Sequence, residues 1–150
     1  MAILPKSGKP TASQVVDWAK WMAKNHKGVD IDGRYGFQCW DLPNYIFQRY
    51  WHFRTWGNAN AMANRSQYPN RSWKIYRNTS SFIPKPGDIA VWTYGWAGHT
   101  GIVVGPSDKN HFKCVECNWL IRYNHCKGVV IWLKNMIKKV LLGLKKVSIL

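Results

Sequence analysis

The apolar residues change their period part-way along the chain, and this switch limits the fold more than any other feature. In the first third Val15, Trp18, Ala19 and Met22 recur at i, i+3, i+4 and i+7, the spacing of one helix face, with Ser13 placed to cap the helix and Gly28 to end it. Leu42, Tyr45, Ile46 and Arg49 repeat the spacing and predict a second helix starting at or just after Cys39. Pro43 then sits in its first turn, where a missing N–H costs nothing. A short third helix is expected over 56–64. The string PKPG at 84–87 breaks the chain, and the runs 89–93, 100–104 and 111–119 beyond it read as strands of an antiparallel meander, the last two joined by the turn GPSDKN. Helices first and strands second indicate an α+β fold, N-terminal helices packed on one antiparallel sheet.

A chain of 150 residues fits one domain with a real core. Ten Trp and seven Tyr exclude a disordered chain, and aromatic excess in a small basic protein often marks a surface that grips an extended polymer. Charge is lopsided, with 22 Lys+Arg against 7 Asp+Glu, and all seven acids precede residue 120. Residues 1–119 carry +8 and residues 120–150 carry +7, so the end of the chain is a separate electrostatic object. Such a field attracts anionic polymers, whether nucleic acid, anionic lipid or bacterial wall. No base-reading motif favours nucleic acid. In the tail Leu133, Met136, Ile137, Val140, Leu141 and Leu144 form a helical stripe with Lys134, Lys138, Lys139, Lys145 and Lys146 largely opposite, which predicts a cationic amphipathic helix able to meet a membrane or an anionic wall polymer. The first ten residues hold no apolar signal region and no run of 18 apolar residues occurs, so synthesis in the cytosol without signal peptide or spanning helix is expected. Cys39, Cys114, Cys117 and Cys126 are too few and too clustered for a disulfide scaffold, and free thiols are expected.

Cys39, in GFQCWD, lies at a loop-to-helix junction, where unpaired N–H groups and the helix dipole favour a thiolate. Read alone it is better explained as a buried structural thiol. A sulfur nucleophile needs a base and a group that orients the base. Of five histidines His99 is the candidate, because it follows the turn YGWAG and opens a strand, so its ring emerges at a sheet end. In KCVECNW side chains alternate, placing Glu116 and Asn118 on one face and Val115, Cys117 and Trp119 on the other. A Glu in an apolar strand is costly to bury unpaired, which implies a partner such as His99. The acidic loop offers D-x-D-x-x-x-G from Asp30 to Gly36, a pattern that supplies oxygen ligands as calcium loops do and that equally reads as an Asx turn followed by an acid, Asp41, in a first helical turn. Cys114, Cys117, His125 and Cys126 imitate zinc ligands, but a strand points the first two to opposite faces.

The strings DIDGRYGFQCWDL, RTWGNA, KPGDIAVW, GHTGIVV and VECNW, spanning about residues 12–119, resemble consecutive blocks of the CHAP domains (cysteine, histidine-dependent amidohydrolase/peptidase) of staphylococcal-phage endolysins. The resemblance implies a papain-like fold over 1–119 and a peptidoglycan hydrolase. Cys39 would be the nucleophile and His99 the general base, with Glu116 and Asn118 orienting the imidazole or polarising the site. It implies Ca2+ on the carboxylates of Asp30, Asp32 and Asp41 and the backbone carbonyls of Arg34 and Gly36. Arg34 stands where relatives often carry Tyr, and Cys117 replaces a Gln. The favoured bond is the D-Ala–Gly link of a glycine cross-bridge, with the N-acetylmuramoyl-L-alanine amide as the alternative. A monomer made in the host bacterial cytoplasm and acting on the wall is expected. A non-enzymatic cationic wall- or membrane-binding antibacterial protein is the reading from another class. The basic segment 120–150 matches no ending of the family, and reads as a membrane-active appendage, as a helix replacing the family's final strand or, the favoured account, as non-native sequence from a shifted reading frame.

Overall fold

The structure, a computed structural model, describes residues 4–118, 125–132 and 144–148. Helix α1 spans Ala12–Lys24 and starts from a capping box: the Thr11 hydroxyl accepts the Gln14 N–H at 3.2 Å and the Gln14 side chain accepts the Thr11 N–H at 2.9 Å. The cap is therefore Thr11 and not Ser13, which lies inside the first turn. Asn25 closes the helix by donating from its side chain to the Trp21 carbonyl at 2.8 Å. The predicted stripe of Val15, Trp18, Ala19 and Met22 is buried, together with Val16.

Helix α2 spans Asp41–Trp51 and buries Leu42, Ile46 and Phe47 completely. It begins two residues after Cys39 and ends where His52 turns left-handed at φ 58°. The expected third helix is a single 3-10 turn, Ala59–Ala63, followed by another at Arg65–Gln67. Much of the aromatic excess is structural. Phe47, Phe53, Tyr68 and Trp73 pack with ring centroids 5.1 to 6.1 Å apart, closing the end of α2 against the loops.

The strands are β1 (Lys74–Arg77), β2 (Ile89–Trp92), β3 (His99–Ser107), β4 (His111–Cys117), β5 (Cys126–Trp132) and β6 (Leu144–Ser148). Among the described residues they form one sheet in the order β1-β6-β2-β3-β4-β5, every pair antiparallel. The expected meander β2–β3–β4 forms its centre. Ile89 and Val91 of β2, Ile102 and Val104 of β3 and Val115 of β4 join the core built by α1 and α2. The fold is α+β with helices on an antiparallel sheet, as expected.

Two expectations change. The stripe from Leu133 predicts one amphipathic helix, yet Leu144, its last residue, begins strand β6, which lies between β1 and β2. Leu133 to Leu141 lie outside the described residues. Four free thiols were also expected, but Cys117 and Cys126 form a disulfide and only Cys39 and Cys114 are free. The cause is register: the two cysteines are direct partners across β4 and β5, with Cα atoms 4.1 Å apart. Both sulfurs are thereby consumed, which removes the zinc reading. Among the described residues no helix is long and apolar enough to cross a membrane.

Candidate active site

Cys39 lies in the turn that delivers the chain into α2, half-buried, with Asp41 as the first helical residue behind it. Facing it is His99, the first residue of β3, 6% exposed. The ring is placed by the turn before it. Asn60 donates its backbone N–H to the Ala97 carbonyl at 3.0 Å and its side chain to Gly95 and Trp96 carbonyls, while the Asn58 side chain donates to Trp96. Gly98 permits the close approach, with φ 66° and a position where a Cβ would stand 2.4 Å from the Trp92 carbonyl oxygen. The Asn-Gly content of RTWGNAN and YGWAG is the sequence signal for this pinning.

Glu116 of β4, 3% exposed, lies 2.9 Å from His99 Nε2 through Oε2. Gly101 leaves room for it, since a Cβ there would meet the Val115 carbonyl at 2.9 Å and Glu116 Cβ at 3.3 Å. Burial works against a charged imidazole, but the hydrogen bonds that the ring donates to the Cys39 sulfur and then to Glu116, with the attraction of both groups, outweigh it and raise the His99 pKa to about 9. The ring is thus an imidazolium at neutral pH. Beneath the pair the buried Cys114 thiol lies 4.0 Å from Glu116 Oε2, and burial followed by the Glu116 charge pushes that thiol well up, so it remains protonated. Tyr94, at the rim, is raised by burial and by the Glu116 charge.

Asn118 is placed differently from the expectation. Strand β4 ends at Cys117, and Asn118 turns left-handed at φ 53°, so strict alternation does not extend to it. Its side-chain amide donates to Gln38 Oε1 at 2.9 Å. Gln38 in turn donates to the Tyr35 carbonyl at 2.5 Å, so Asn118 steadies the residue before Cys39. Sequence reasoning missed Gln38, whose place beside the nucleophile was its only signal.

The acidic loop converges. Carboxylate oxygens of Asp30, Asp32 and Asp41 lie within 4.8 Å of one another, the first two exposed and Asp41 buried. Asp41 also braces the turn, accepting the Gln38 N–H at 2.9 Å and the Ile31 N–H at 3.2 Å. Burial, only partly opposed by those two bonds, and then the charges of Asp32 and Asp30 raise its pKa to about 6. Three hard oxygen donors crowded against one another fit a divalent cation of the calcium type. The Asx bonds also exist: Asp30 accepts from the Gly33 N–H at 2.7 Å and Asp32 from the Arg34 N–H at 2.9 Å. Both sequence readings of this loop therefore have a physical basis: Asp30 and Asp32 each use one oxygen in these turns, and Asp41 accepts through both of its oxygens. Arg34 is exposed and makes no ion pair among the described residues.

Comparison with known proteins gives the family. A sequence profile of the CHAP domain matches residues 6–118. The chain is similar to endolysin PlyTW of Staphylococcus phage Twort, 38% identical over 105 residues, which are 65% of this chain and 22% of the relative. It is also similar to endolysin LysK of Staphylococcus phage K, 39% identical over 100 residues, 61% of this chain and 19% of the relative. The chain thus spans about a fifth of the length of these curated relatives. The crystal structure of wild type endolysin LysIME-EF1 superposes with a TM-score of 0.73 at 28% identity, covering 94% of this chain and 63% of that one. The crystal structure of Ly7917 shares the fold at a TM-score of 0.64 and 11% identity, covering 92% of this chain and 62% of that one. With its profile match running from the lead into α1 to the end of β4, across Cys39, His99 and Glu116, the chain belongs to the CHAP domain family.

Proposed function

We propose that this chain is a peptidoglycan hydrolase of the phage-endolysin type, with Cys39 as nucleophile, His99 as acid and base, and Glu116 and Asn118 as the residues that hold them. One observation carries the reading: a half-buried thiol at a helix start meets an imidazole held charged by a buried carboxylate 2.9 Å away. The nucleophile is the thiolate of an ion pair with the charged His99 ring, whose Nε2–H stays on Glu116 while its other N–H faces the sulfur. The thiolate attacks the amide carbonyl, and backbone N–H groups at the start of α2 stabilise the oxyanion. The imidazolium then protonates the leaving amine. Water, deprotonated by His99, releases the thioester as a carboxylic acid.

The favoured bond is the D-Ala–Gly link of a glycine cross-bridge, supported by similarity to staphylococcal-phage endolysins. The muramoyl-L-alanine amide is the alternative. Mass spectrometry of digested staphylococcal walls separates them, a free N-terminal Gly marking the first and a free L-Ala amine the second. Calcium, held by Asp30, Asp32 and Asp41 with the carbonyls of Arg34 and Gly36, would neutralise the crowded carboxylates and fix the loop ahead of Cys39. The test is turbidity loss of walls by wild type and Cys39→Ala. Lysis by the first alone supports the enzyme; equal killing by both would leave the cationic binding protein as the explanation.

A further inference from the structure

Between the acidic loop and the segment after α2 lies a cleft of about 610 Å3, within the range of small-ligand sites. Arg34 and Trp40 line one wall, and Arg54, Thr55 and Trp56 the other. Its lining is joined to the catalytic pair through the chain. Trp40 follows Cys39 in the chain, and the segment carrying Arg54 and Trp56 continues into Asn58 and Asn60, which pin the turn before His99.

Three groups in this lining have hydrogen-bond donors to offer a ligand. Neither guanidinium has a carboxylate partner among the described residues, and the indole N–H of Trp40 is buried with no hydrogen-bond partner. A buried donor without an acceptor is costly unless something supplied later accepts from it. Asp32 is the single acid of the lining itself, with Asp30 and Asp41 beside it in the acidic loop, and the two guanidinium groups are the cations of the cleft. The wall that carries Arg54 is also rigid. Thr55 is 2% exposed, its N–H donating to Asn44 at 2.8 Å, and Trp56 exchanges both backbone hydrogen bonds with the Gln67 side chain at 2.8 and 3.0 Å. Fixing this backbone before a ligand arrives lowers the ordering cost of binding. Trp56, 63% exposed, offers an apolar face beside the charges.

We propose that this cleft is a substrate subsite that takes a free carboxylate of the wall peptide, held by Arg34, Arg54 and the Trp40 indole N–H, with the peptide against Trp56. The assignment rests on the hydrolase reading and deepens it, because it makes the enzyme prefer peptides whose carboxylate is not amidated. Paired guanidinium–carboxylate hydrogen bonds are the strong class, and replacing a carboxylate by a carboxamide removes the charge without changing shape.

The test measures binding by calorimetry on Cys39→Ala protein, using two synthetic wall-peptide fragments that differ only in ending as carboxylate or carboxamide. The carboxylate fragment should bind ~10-fold more tightly, and adding Arg54→Gln or Arg34→Gln should shrink the gap to about twofold. Equal affinity for the two fragments, or a gap that survives both substitutions, overturns the subsite. Glycerol phosphate is the third probe. If it displaces the carboxylate fragment at concentrations well below that fragment's own dissociation constant, the occupant is a phosphate-bearing wall polymer and the carboxylate assignment falls. Cleavage of walls by wild type is scored separately. Intact walls with the fragment preference retained would remove the hydrolase reading and leave the cleft's ligand standing.

Discussion

His99 owes its charge to a contest that burial loses. Its pKa near 9 requires both the sulfur and the Glu116 carboxylate, so the imidazolium needed to protonate the leaving amine persists through neutral pH. Wall lysis by wild type should fall as pH rises through about 9. Glu116→Gln keeps the shape but removes the charge, and should move that alkaline limb down by about one unit or more and lower the rate at least ~10-fold. An NMR titration of the His99 ring checks the shift directly, and an unmoved limb would show that Glu116 does not set it. Stability follows the same group. A pKa raised above the ordinary 6.5 makes the pair's contribution complete below that pH, and it is lost as pH rises through about 9. Asn118 touches Gln38, so Asn118→Ala should cut lysis without moving the limb. Of these residues Cys39, His99 and Glu116 were legible in the sequence, because strand alternation and a helix start fix where they point. The Asn118 contact was not, since alternation gives no warning that a strand stops one residue earlier.

At the level of elements, the site depends on two turns more than on the helices and strands they join. The turn before β3 is locked by Gly98, whose φ of 66° and missing side chain let Trp92 and Asn60 close in. Gly98→Ala should therefore destabilise the protein by about 2 kcal/mol or more and abolish lysis, as read by thermal melting and turbidity. Little change in either would mean that the turn can move aside. The acidic loop makes an opposite prediction. Asp41, raised to about 6, favours folding in its protonated form, a contribution present below pH 3.8 and lost as pH rises through about 6. A cation reverses that loss, so calcium should raise the melting temperature by ~5 °C at pH 7.5 and by much less at pH 5. Equal melting with calcium and with chelator at pH 7.5 would leave the loop as an Asx turn. Helices α1 and α2 were readable from period alone, although the true cap of α1 lay in the T-x-x-Q box at Thr11 to Gln14. Strand β1, of sequence KIYR, carries too few residues for its alternation to stand out.

The whole molecule places its late segments inside the sheet. Strand β6 pairs with both β1 and β2, and β2 pairs with β3, the strand that carries His99. Its sequence LKKVS sits at the end of a lysine-rich stretch whose apolar residues also satisfy a helical period, and periodicity cannot show that a strand near the end of the chain inserts between two earlier ones. Strand β5 was hidden for a related reason, since its pairing with β4 places Cys126 opposite Cys117 through register. The charge of residues 120–150 is therefore partly carried on strands of the catalytic sheet. A chain ending at Trp119 would lose both strands, separate β1 from β2, and leave the β2 edge and the outer edge of β4 unpaired. Loss of two strands from one sheet should cost about 4 kcal/mol or more. The shortened chain should melt far below the full one or without a cooperative transition, and lose lysis even though Cys39, His99 and Glu116 are all retained. An unchanged melting temperature with lysis intact would instead make 120–150 a detachable appendage, its lysines free to serve wall binding alone.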